Sequence, residues 1–305
     1  MTRSDNRILA YAALAFGILV LSLSGMFVRW AQAPGPVTSL YRMSAAVVML
    51  LPVMLWRNRG RTGGRTGSRP ASSPIWLLFP VVGGLFTALD HSTWSTAIAT
   101  TQVGTATLLN NIAPGWVALF AVLVWRERLP GRFWLGLVVT LAGAALVLSS
   151  GILFSPRQTG GNLLAVFSSL FYGAYFLVTQ RGRSRLDALT YVWLVTFFAA
   201  ISLFLISLVL RLPLAGFPPL TWLIFLAAGL VSQIGGYFSI AFALGRLPAS
   251  VVSPTMVMQP VLSALLAYVF VGEALSPLQW LGGLTAIAGI FLVNISRGET
   301  LQETL

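Results

Sequence analysis

One segment of the chain occurs twice, at residues 114–147 and again at 260–293. Without gaps, 13 of the 34 aligned pairs are identical, whereas a composition this rich in Leu, Ala, Val and Gly gives about one match in ten by chance. The identities include proline, tryptophan and glycine positions as well as the pair Glu127 and Glu273. Each copy is an apolar stretch, a short segment bearing the glutamate and a second apolar stretch. The chain is therefore built from two related units.

The composition indicates a protein that crosses a membrane several times. Of the 305 residues, 57% are hydrophobic and only 9% are charged, against about 25% charged in soluble globular proteins. The absence of cysteine excludes disulfides and thiolate metal sites, and we expect no cofactor. The net charge of +12 comes from arginines in short loops between apolar segments, where they set topology. We therefore expect the lipid bilayer, and no nucleic acid, as a partner.

Ten apolar segments are each close to the ~20 residues that cross a bilayer. They lie at 8–28, 37–56, 75–96, 106–125 and 133–150 in the first unit, and at 163–178, 191–210, 222–242, 251–270 and 280–295 in the second. The predicted fold is an all-α polytopic membrane protein of about ten transmembrane helices. Its two five-helix repeats are expected at 8–150 and 160–296.

The first apolar segment also has features of a signal peptide. Arg3 and Arg7 precede it, and residues 31–33 are similar to a cleavage site. However, about twenty apolar residues exceed the roughly 7–15 of a signal peptide. We therefore predict a retained first membrane helix.

The distribution of arginine predicts the orientation of the helices. With the N-terminus in the cytoplasm, 15 arginines fall in inside segments and 3 in outside segments. This bias places both termini of a multi-pass protein in the cytoplasm. Because five is an odd number of spans, the second unit must insert upside down relative to the first. Inverted repeats are typical of secondary transporters.

Several short motifs resemble the EamA family of the drug/metabolite transporter superfamily. They are Arg126-Glu127-Arg128-Leu129 and Gly272-Glu273-Ala274-Leu275, the run 106–114 in the fourth span, 247–250 leading to Gln259-Pro260-Val261 in the ninth, and Pro36 followed by Arg42 in the second. The resemblance covers nearly the whole chain. It implies an exporter-like permease of the inner membrane, with a central cavity between the two halves.

The third span carries two ionisable residues, Asp90 and His91. A charge at bilayer depth costs about 2.5–3.5 kcal/mol on insertion scales, so it should face a cavity or a partner. With Thr87 and Trp94 they form one polar stripe on an apolar helix. The stripe predicts a substrate or proton site. The alternative is a structural polar cluster bonded to neighbouring helices.

Arg42 is the one arginine inside a span, and three roles are open to it. It can pair with Asp90, it can receive a substrate carboxylate in a bidentate pair, or it can extend to the outer interface, since Pro36 is near. The sequence does not separate these roles.

Uncharged polar residues interrupt the fourth, eighth and ninth spans. Amides can bind and release a ligand without the insertion cost of a charge, so we predict that they line the cavity. The alternative is that these side chains form hydrogen bonds between helices, each of which contributes about 0.6 kcal/mol. These candidates are Asn110 and Asn111 in the fourth span, Gln233 and Tyr237 in the eighth, and Gln259 in the ninth.

Small residues form faces on the fifth and tenth spans. Close packing of helices is one interpretation of these faces and a dimer contact is another. A monomer and a homodimer thus both stay open. The residues are Gly136 and Gly143 on the fifth span, and Gly282, Ala286 and Gly289 on the tenth.

Three classes of function are compatible with ten spans. The first is a transporter of small organic metabolites such as amino acids, acting as an exporter by alternating access, with protons as a candidate coupling partner. The second is a passive pathway without ion coupling, which is a uniporter, a channel-like permease or a lipid scramblase. The third is an intramembrane enzyme, which the sequence disfavours. Asp90 and His91 are adjacent, so on a helix they point about 100° apart and do not form a dyad.

Overall fold

The computed structural model describes residues 3–61, 75–101, 103–124, 126, 128–147, 159–271 and 276–302. Every regular element in these ranges is helical, as the sequence predicts. Glu127 and Glu273 lie outside the described residues. Seven helical stretches there have the length and apolar composition to cross a membrane, and two shorter apolar helices accompany them.

Fourteen α-helices and one π-helical segment make up the described part of the chain. The first unit contains α1 (Arg3–Leu21), α2 (Ser24–Trp30), α3 (Gly35–Arg61), α4 (Ile75–Thr100), α5 (Val103–Asn110), α6 (Ala113–Leu123) and α7 (Gly131–Val147). The second contains α8 (Thr159–Arg183), α9 (Ala188–Val209), α10 (Pro219–Ala228), the π-helical segment Gly229–Tyr237, α11 (Phe238–Leu244), α12 (Ala249–Met256), α13 (Met258–Val271) and α14 (Pro277–Gln302). These elements account for all ten predicted spans, four of which consist of more than one element.

The fourth and ninth spans break at the same position of the repeat. A shift of 146 residues carries α5 onto α12 and places the break after Asn110 on the break after Met256. Pro114 and Pro260 follow at equivalent positions. Because proline has no N–H, each removes the helical bond to the carbonyl four residues earlier, which belongs to Asn110 or Met256. The prolines therefore account for the paired breaks, a feature of transporter binding sites.

The fifth and tenth spans pack against each other through their small-residue faces. A β-carbon added to Gly143 would lie 2.3 Å from the backbone nitrogen of Ala286, and one added to Gly289 would lie 2.4 Å from that of Thr140. Thr140 and Ala286 are themselves equivalent in the repeat, so the contact is reciprocal, as across a two-fold axis. Within the chain, each small-residue face therefore packs on the other.

The contacts of these helices also establish their direction. Gly136, near the start of α7, lies against Val293 of α14, whereas Gly143, a turn or two later, lies against Gly282. The residue number rises along α7 as it falls along α14, so the two helices are antiparallel. The two units are therefore inverted, as the sequence predicts.

The loops divide between the two ends of the molecule as the arginine distribution predicts. At one end, Arg57 Nη1 donates to Asp187 Oδ1 at 2.8 Å. At the other end, Thr101 Oγ1 donates to Asn162 Oδ1 at 2.8 Å. Further contacts are Arg185 over the ring of Trp76 and Arg183 with the carbonyl of Ala241 at the first end, and Thr221 with the carbonyl of Ala31 at the second. Which end faces the cytoplasm stays a prediction.

Large apolar side chains cover the outside of the bundle, while polar ones lie inside. Leu163, Val209 and Phe291 expose 65%, 81% and 64% of their surface. Such residues suit a lipid environment, because hydrocarbon chains are as apolar as they are. In the interior, α4 packs against α3, α8 and α9. It carries the polar stripe predicted above.

Candidate functional site

A small polar cavity lies at the interface of the two units. The volume open to the centres of water molecules is about 20 Å³, which has room for one or two waters. Both units contribute to its wall, so the cavity depends on how the repeats meet. The lining residues are Leu21, Ser24, Asp90, His91, Trp94, Thr107 and Asn110 from the first unit, and Tyr172, Tyr237 and Gln259 from the second.

Asn110 connects Asp90 to the rest of the wall. Its Nδ2 donates to Asp90 Oδ1 at 2.9 Å and to Ser168 Oγ at 2.8 Å. Asn110 is the last residue of α5, so the helix break places its amide between α4 and α8. An amide nitrogen can donate to a carboxylate and equally to a protonated carboxyl, through the carbonyl oxygen. The carboxyl of Asp90 can therefore change protonation without losing this contact.

Arg42 is buried behind the cavity and contacts His91. Its Nη2 lies 2.7 Å from His91 Nε2, and its Nη1 donates to Ser24 Oγ at 2.9 Å. A guanidinium has only donors, so Nε2 must accept and the imidazole is neutral, with its proton on Nδ1. No salt bridge joins Arg42 to Asp90. With 2% exposure, Arg42 does not extend to the interface. These contacts rule out a direct ion pair and an extended conformation, and the role of Arg42 in binding a substrate stays a prediction.

Aromatic rings close the cavity on the side of the second unit. The ring of Tyr237 meets that of His91 edge-on, with centroids 5.4 Å apart, and the guanidinium carbon of Arg42 is 6.0 Å from the Tyr237 centroid. The latter distance is at the limit of a cation–π contact. Tyr237 ends the π-helical segment of the eighth span, where the equivalent part of α4 is a regular α-helix.

Gln259 connects the ninth span to a break in the first. Its side-chain Nε2 donates to the backbone carbonyl of Leu21 at 3.0 Å. The backbone carbonyl of Gln259 accepts from Ser22 Oγ at 3.2 Å. Ser263 Oγ donates to the carbonyl of Ser22 at 2.9 Å. These bonds satisfy backbone groups that the end of α1 leaves without a helical partner. Gln259 thus has a structural contact as well as a place in the wall.

Two predicted site residues lie away from the cavity. Asn111 Nδ2 donates to the carbonyl of Thr107 in its own span at 2.8 Å. Gln233 Nε2 donates to Thr196 Oγ1 of α9 at 3.1 Å. Both are buried and neither lines the cavity. The others meet there: Asp90, His91, Trp94, Asn110, Tyr237 and Gln259 line it and Arg42 contacts the wall. What each does in transport stays a prediction.

Sequence reasoning missed Ser24, Thr107 and Tyr172 in the wall, as well as Ser168 beneath it. Ser168 and Tyr172 are four residues apart on α8, so they share one face of that helix. Ser24 follows the break in the first span. A search for hydroxyl groups in the first, fourth and sixth spans would have found these residues.

A solved crystal structure has the same fold. It covers 96% of this chain and 98% of its own, with a TM-score of 0.73 and 20% sequence identity. At this level of identity, the likeness establishes the fold alone.

Curated relatives of the chain are transporters. The pseudopaline exporter of Pseudomonas aeruginosa is 28% identical over 281 residues, which are 91% of this chain and 93% of the exporter. A probable terminal-alkyne amino-acid exporter of Streptantibioticus cattleyicolor is 27% identical over 63% of this chain. That match spans 64% of the exporter's length, somewhat less than two thirds. A riboflavin transporter of Rhizobium johnstonii is 28% identical over 71% of this chain and 69% of its own.

The sequence profile of the EamA-like transporter family matches the chain twice. The two matches cover residues 8–149 and 159–295. They include the described helices of both units and the cavity between them. The chain therefore belongs to the EamA-like transporter family.

Proposed function

We propose that this protein is a secondary transporter that exports small organic metabolites, such as amino acids or related amphipathic compounds, across the cytoplasmic membrane by alternating access. The observation that carries the proposal is the polar cavity between two inverted units. Inverted repeats can exchange their conformations, which opens a central site to one side of the membrane and then to the other. The site then needs residues from both units, and this cavity has them.

The small volume of the cavity is compatible with a carrier. With about 20 Å³ open to the centres of water molecules, the cavity has no room for a metabolite. A carrier that works by alternating access passes through states in which its site is closed to both sides. The hydrogen bonds of Gln259 to the first span and of Asn110 to α4 and α8 hold this closed arrangement together.

The relatives support export and leave the cargo open. Two are named as exporters, one of a terminal-alkyne amino acid and one of pseudopaline, and a third is named as a riboflavin transporter. The cargoes differ while the fold is kept, as expected when substrate choice depends on the side chains of the cavity. We therefore propose a class of substrate, small organic metabolites, rather than one compound.

Counterflow in proteoliposomes tests the proposal. Purified protein is reconstituted with a high internal concentration of an unlabelled metabolite, and uptake of the same labelled compound is followed. The panel contains amino acids, amino-acid amides, riboflavin and nucleosides. A carrier gives transient, saturable accumulation of label, whereas a channel or scramblase gives only equilibration. If no compound gives saturable counterflow beyond that of protein-free liposomes, the transporter proposal fails.

A pH gradient separates proton-coupled export from facilitated diffusion without ion coupling. Proton-coupled export predicts that a gradient drives net accumulation of the substrate. A uniporter gives counterflow of equal size with and without the gradient. The same liposomes and the same labelled compound serve both measurements.

A further inference from the structure

Three buried hydrogen-bond donors beside the cavity have no acceptor. They are Nε of Arg42, Nδ1 of His91 and Nε1 of Trp94. The three residues are 2%, 2% and 6% exposed. Buried N–H groups in proteins nearly always have a partner, and an unmade bond costs free energy. Three such donors in one contiguous cluster therefore point to a group that supplies acceptor atoms.

The cluster also carries a positive charge that no carboxylate among the described residues contacts directly. Arginine stays charged at all working pH, and neither of the partners of Arg42, His91 and Ser24, is an acid. Asp90 interacts with the guanidinium electrostatically but bonds Asn110 and not Arg42. A buried cation is normally paired, because desolvation of a lone charge is costly. The missing partner should therefore be an anion.

The charges of the site favour a monoanion, and the geometry of the guanidinium favours a carboxylate. One arginine can neutralise one negative charge, and the carboxyl of Asp90 on the same wall disfavours a dianion such as a phosphate ester. The edge of a guanidinium that bears Nε and one Nη matches the two oxygens of a carboxylate. Nε is free, and Nη2 is held by the neutral imidazole of His91, which a carboxylate would replace as the acceptor.

We propose that Arg42, His91 and Trp94 form the subsite that binds the carboxylate of the transported metabolite, with Arg42 as the residue that selects carboxylate-bearing substrates. The proposal rests on the transport function and adds the chemistry of the cargo. Binding belongs to an opened state of the cavity, because the closed one has room for only one or two waters. In this structure, Ser24 and His91 are the hydrogen-bond partners of the two Nη atoms of Arg42.

The first test uses the wild-type protein and compares ligands that differ in one chemical group. The amino acid that competes best in counterflow is compared with its amide and with its decarboxylated amine, both of which lack the carboxylate. A site built to bond a polar group rejects analogues without it, so we expect the amide and the amine to compete at least ~100-fold more weakly. Equal competition by all three compounds would overturn the proposal.

Variants then assign the selection to Arg42. Arg42→Gln should reduce competition by the amino acid to the level of its amide, while the amide itself changes by less than about threefold. Arg42→Lys keeps the charge and loses the planar guanidinium. It should therefore keep only part of the preference for the amino acid over its amide. The matched control is Arg57→Gln, an arginine at the end of the bundle and away from the cavity, which should keep full selection.

Trp94→Phe tests the subsite without touching the arginine. The change keeps an aromatic ring and removes the indole N–H, so selection for the carboxylate should fall by about tenfold, as for the loss of one hydrogen bond to a charged group. If Arg42→Gln and Trp94→Phe both keep the wild-type selection, the subsite is wrong. Saturable counterflow of a metabolite without a carboxylate, with none for any amino acid, would remove this subsite and leave the transporter proposal standing.

Discussion

Gly143 of α7 and Gly289 of α14 occupy the same position of the duplicated unit, and each lies against the backbone of the other's helix. A β-carbon on Gly143 would be 2.7 Å from the carbonyl oxygen of Gly282, and one on Gly289 would be 2.7 Å from that of Gly136. Gly136 and Gly282 are again equivalent positions. The reciprocity places the two-fold axis of the inverted repeat between these two helices.

Gly143→Ala should destabilise the protein, because the new methyl group would force α7 and α14 apart. Overpacking of this kind costs about 1–3 kcal/mol, so the apparent Tm in detergent should fall. Gly115→Ala is the matched control, since nothing lies within 4 Å of a β-carbon at that helical position. There, the lower entropy of the unfolded chain should leave the Tm equal or raise it. Equal Tm shifts for the two variants would contradict this account of the packing.

Asp90→Asn should separate exchange from gradient-driven transport. Asp90 is the acid of the wall, and its contact with Asn110 is compatible with either protonation state. His91 is the weaker candidate for the proton, because its Nε2 must stay unprotonated to accept from Arg42. We expect the variant to lose accumulation driven by a pH gradient while substrate counterflow persists, since exchange moves no net proton. A variant that still concentrates substrate with an unchanged pH profile would exclude Asp90 as the proton carrier.

The Asp187–Arg57 ion pair should contribute stability down to acidic pH. Burial alone would raise the pKa of the Asp187 carboxyl, but the Arg57 guanidinium and the hydrogen bonds from Thr190 outweigh burial and hold that pKa well below its usual range. A carboxyl whose pKa is lower in the folded state stabilises above its unfolded pKa, and this stability is lost as the pH falls through the folded pKa. The contribution should thus be constant at neutral pH and decline only below about pH 4.

Asp187→Asn isolates the ion pair, because asparagine also caps a helix and Asp187 accepts from Thr190 N at the start of α9. For a partly exposed pair, the free energy of unfolding should fall by at most about 1 kcal/mol at pH 7. Asp187→Ala removes the cap as well and should cost about 1 kcal/mol more. Denaturant unfolding of the three proteins between pH 8 and pH 3.5 measures both effects. A gap between wild type and Asp187→Asn that widens from pH 8 to pH 5 would contradict the sign of the shift.

Reporter fusions should place the end of the bundle that contains the Arg57–Asp187 pair in the cytoplasm. Fusions after Arg65, Arg183 and the C-terminus should report a cytoplasmic location, and fusions after Gln102 and Ser276 an external one. Arg65, Gln102 and the last residues of the chain lie outside the described residues, whereas Arg183 and Ser276 test opposite ends of the bundle that the structure describes. A reversed result at either of these two would refute the predicted orientation, and a mixture within one group would refute the ten-span topology.

The membrane-spanning helices and their inverted arrangement were predictable from the sequence. In a bilayer, each backbone polar group must bond within its own segment, so about twenty apolar residues specify a helix without help from the rest of the chain. The inversion follows from counting, because a unit of five spans ends on the opposite side from where it begins. The breaks in the fourth and ninth spans have a local cause in Pro114 and Pro260.

Which polar side chains meet was decided by the tertiary structure. Asn110 and Asn111 are neighbours in a single span, yet one bonds Asp90 in the cavity wall and the other bonds its own helix. Gln233 is directed to Thr196 of α9, whereas Tyr237, one turn later, reaches the cavity. The outcome depends on the rotation of each helix about its axis. That rotation is set by close contacts between helices far apart in the sequence, such as Gly229 of the eighth span against Ala45, which the residues of any one span do not specify.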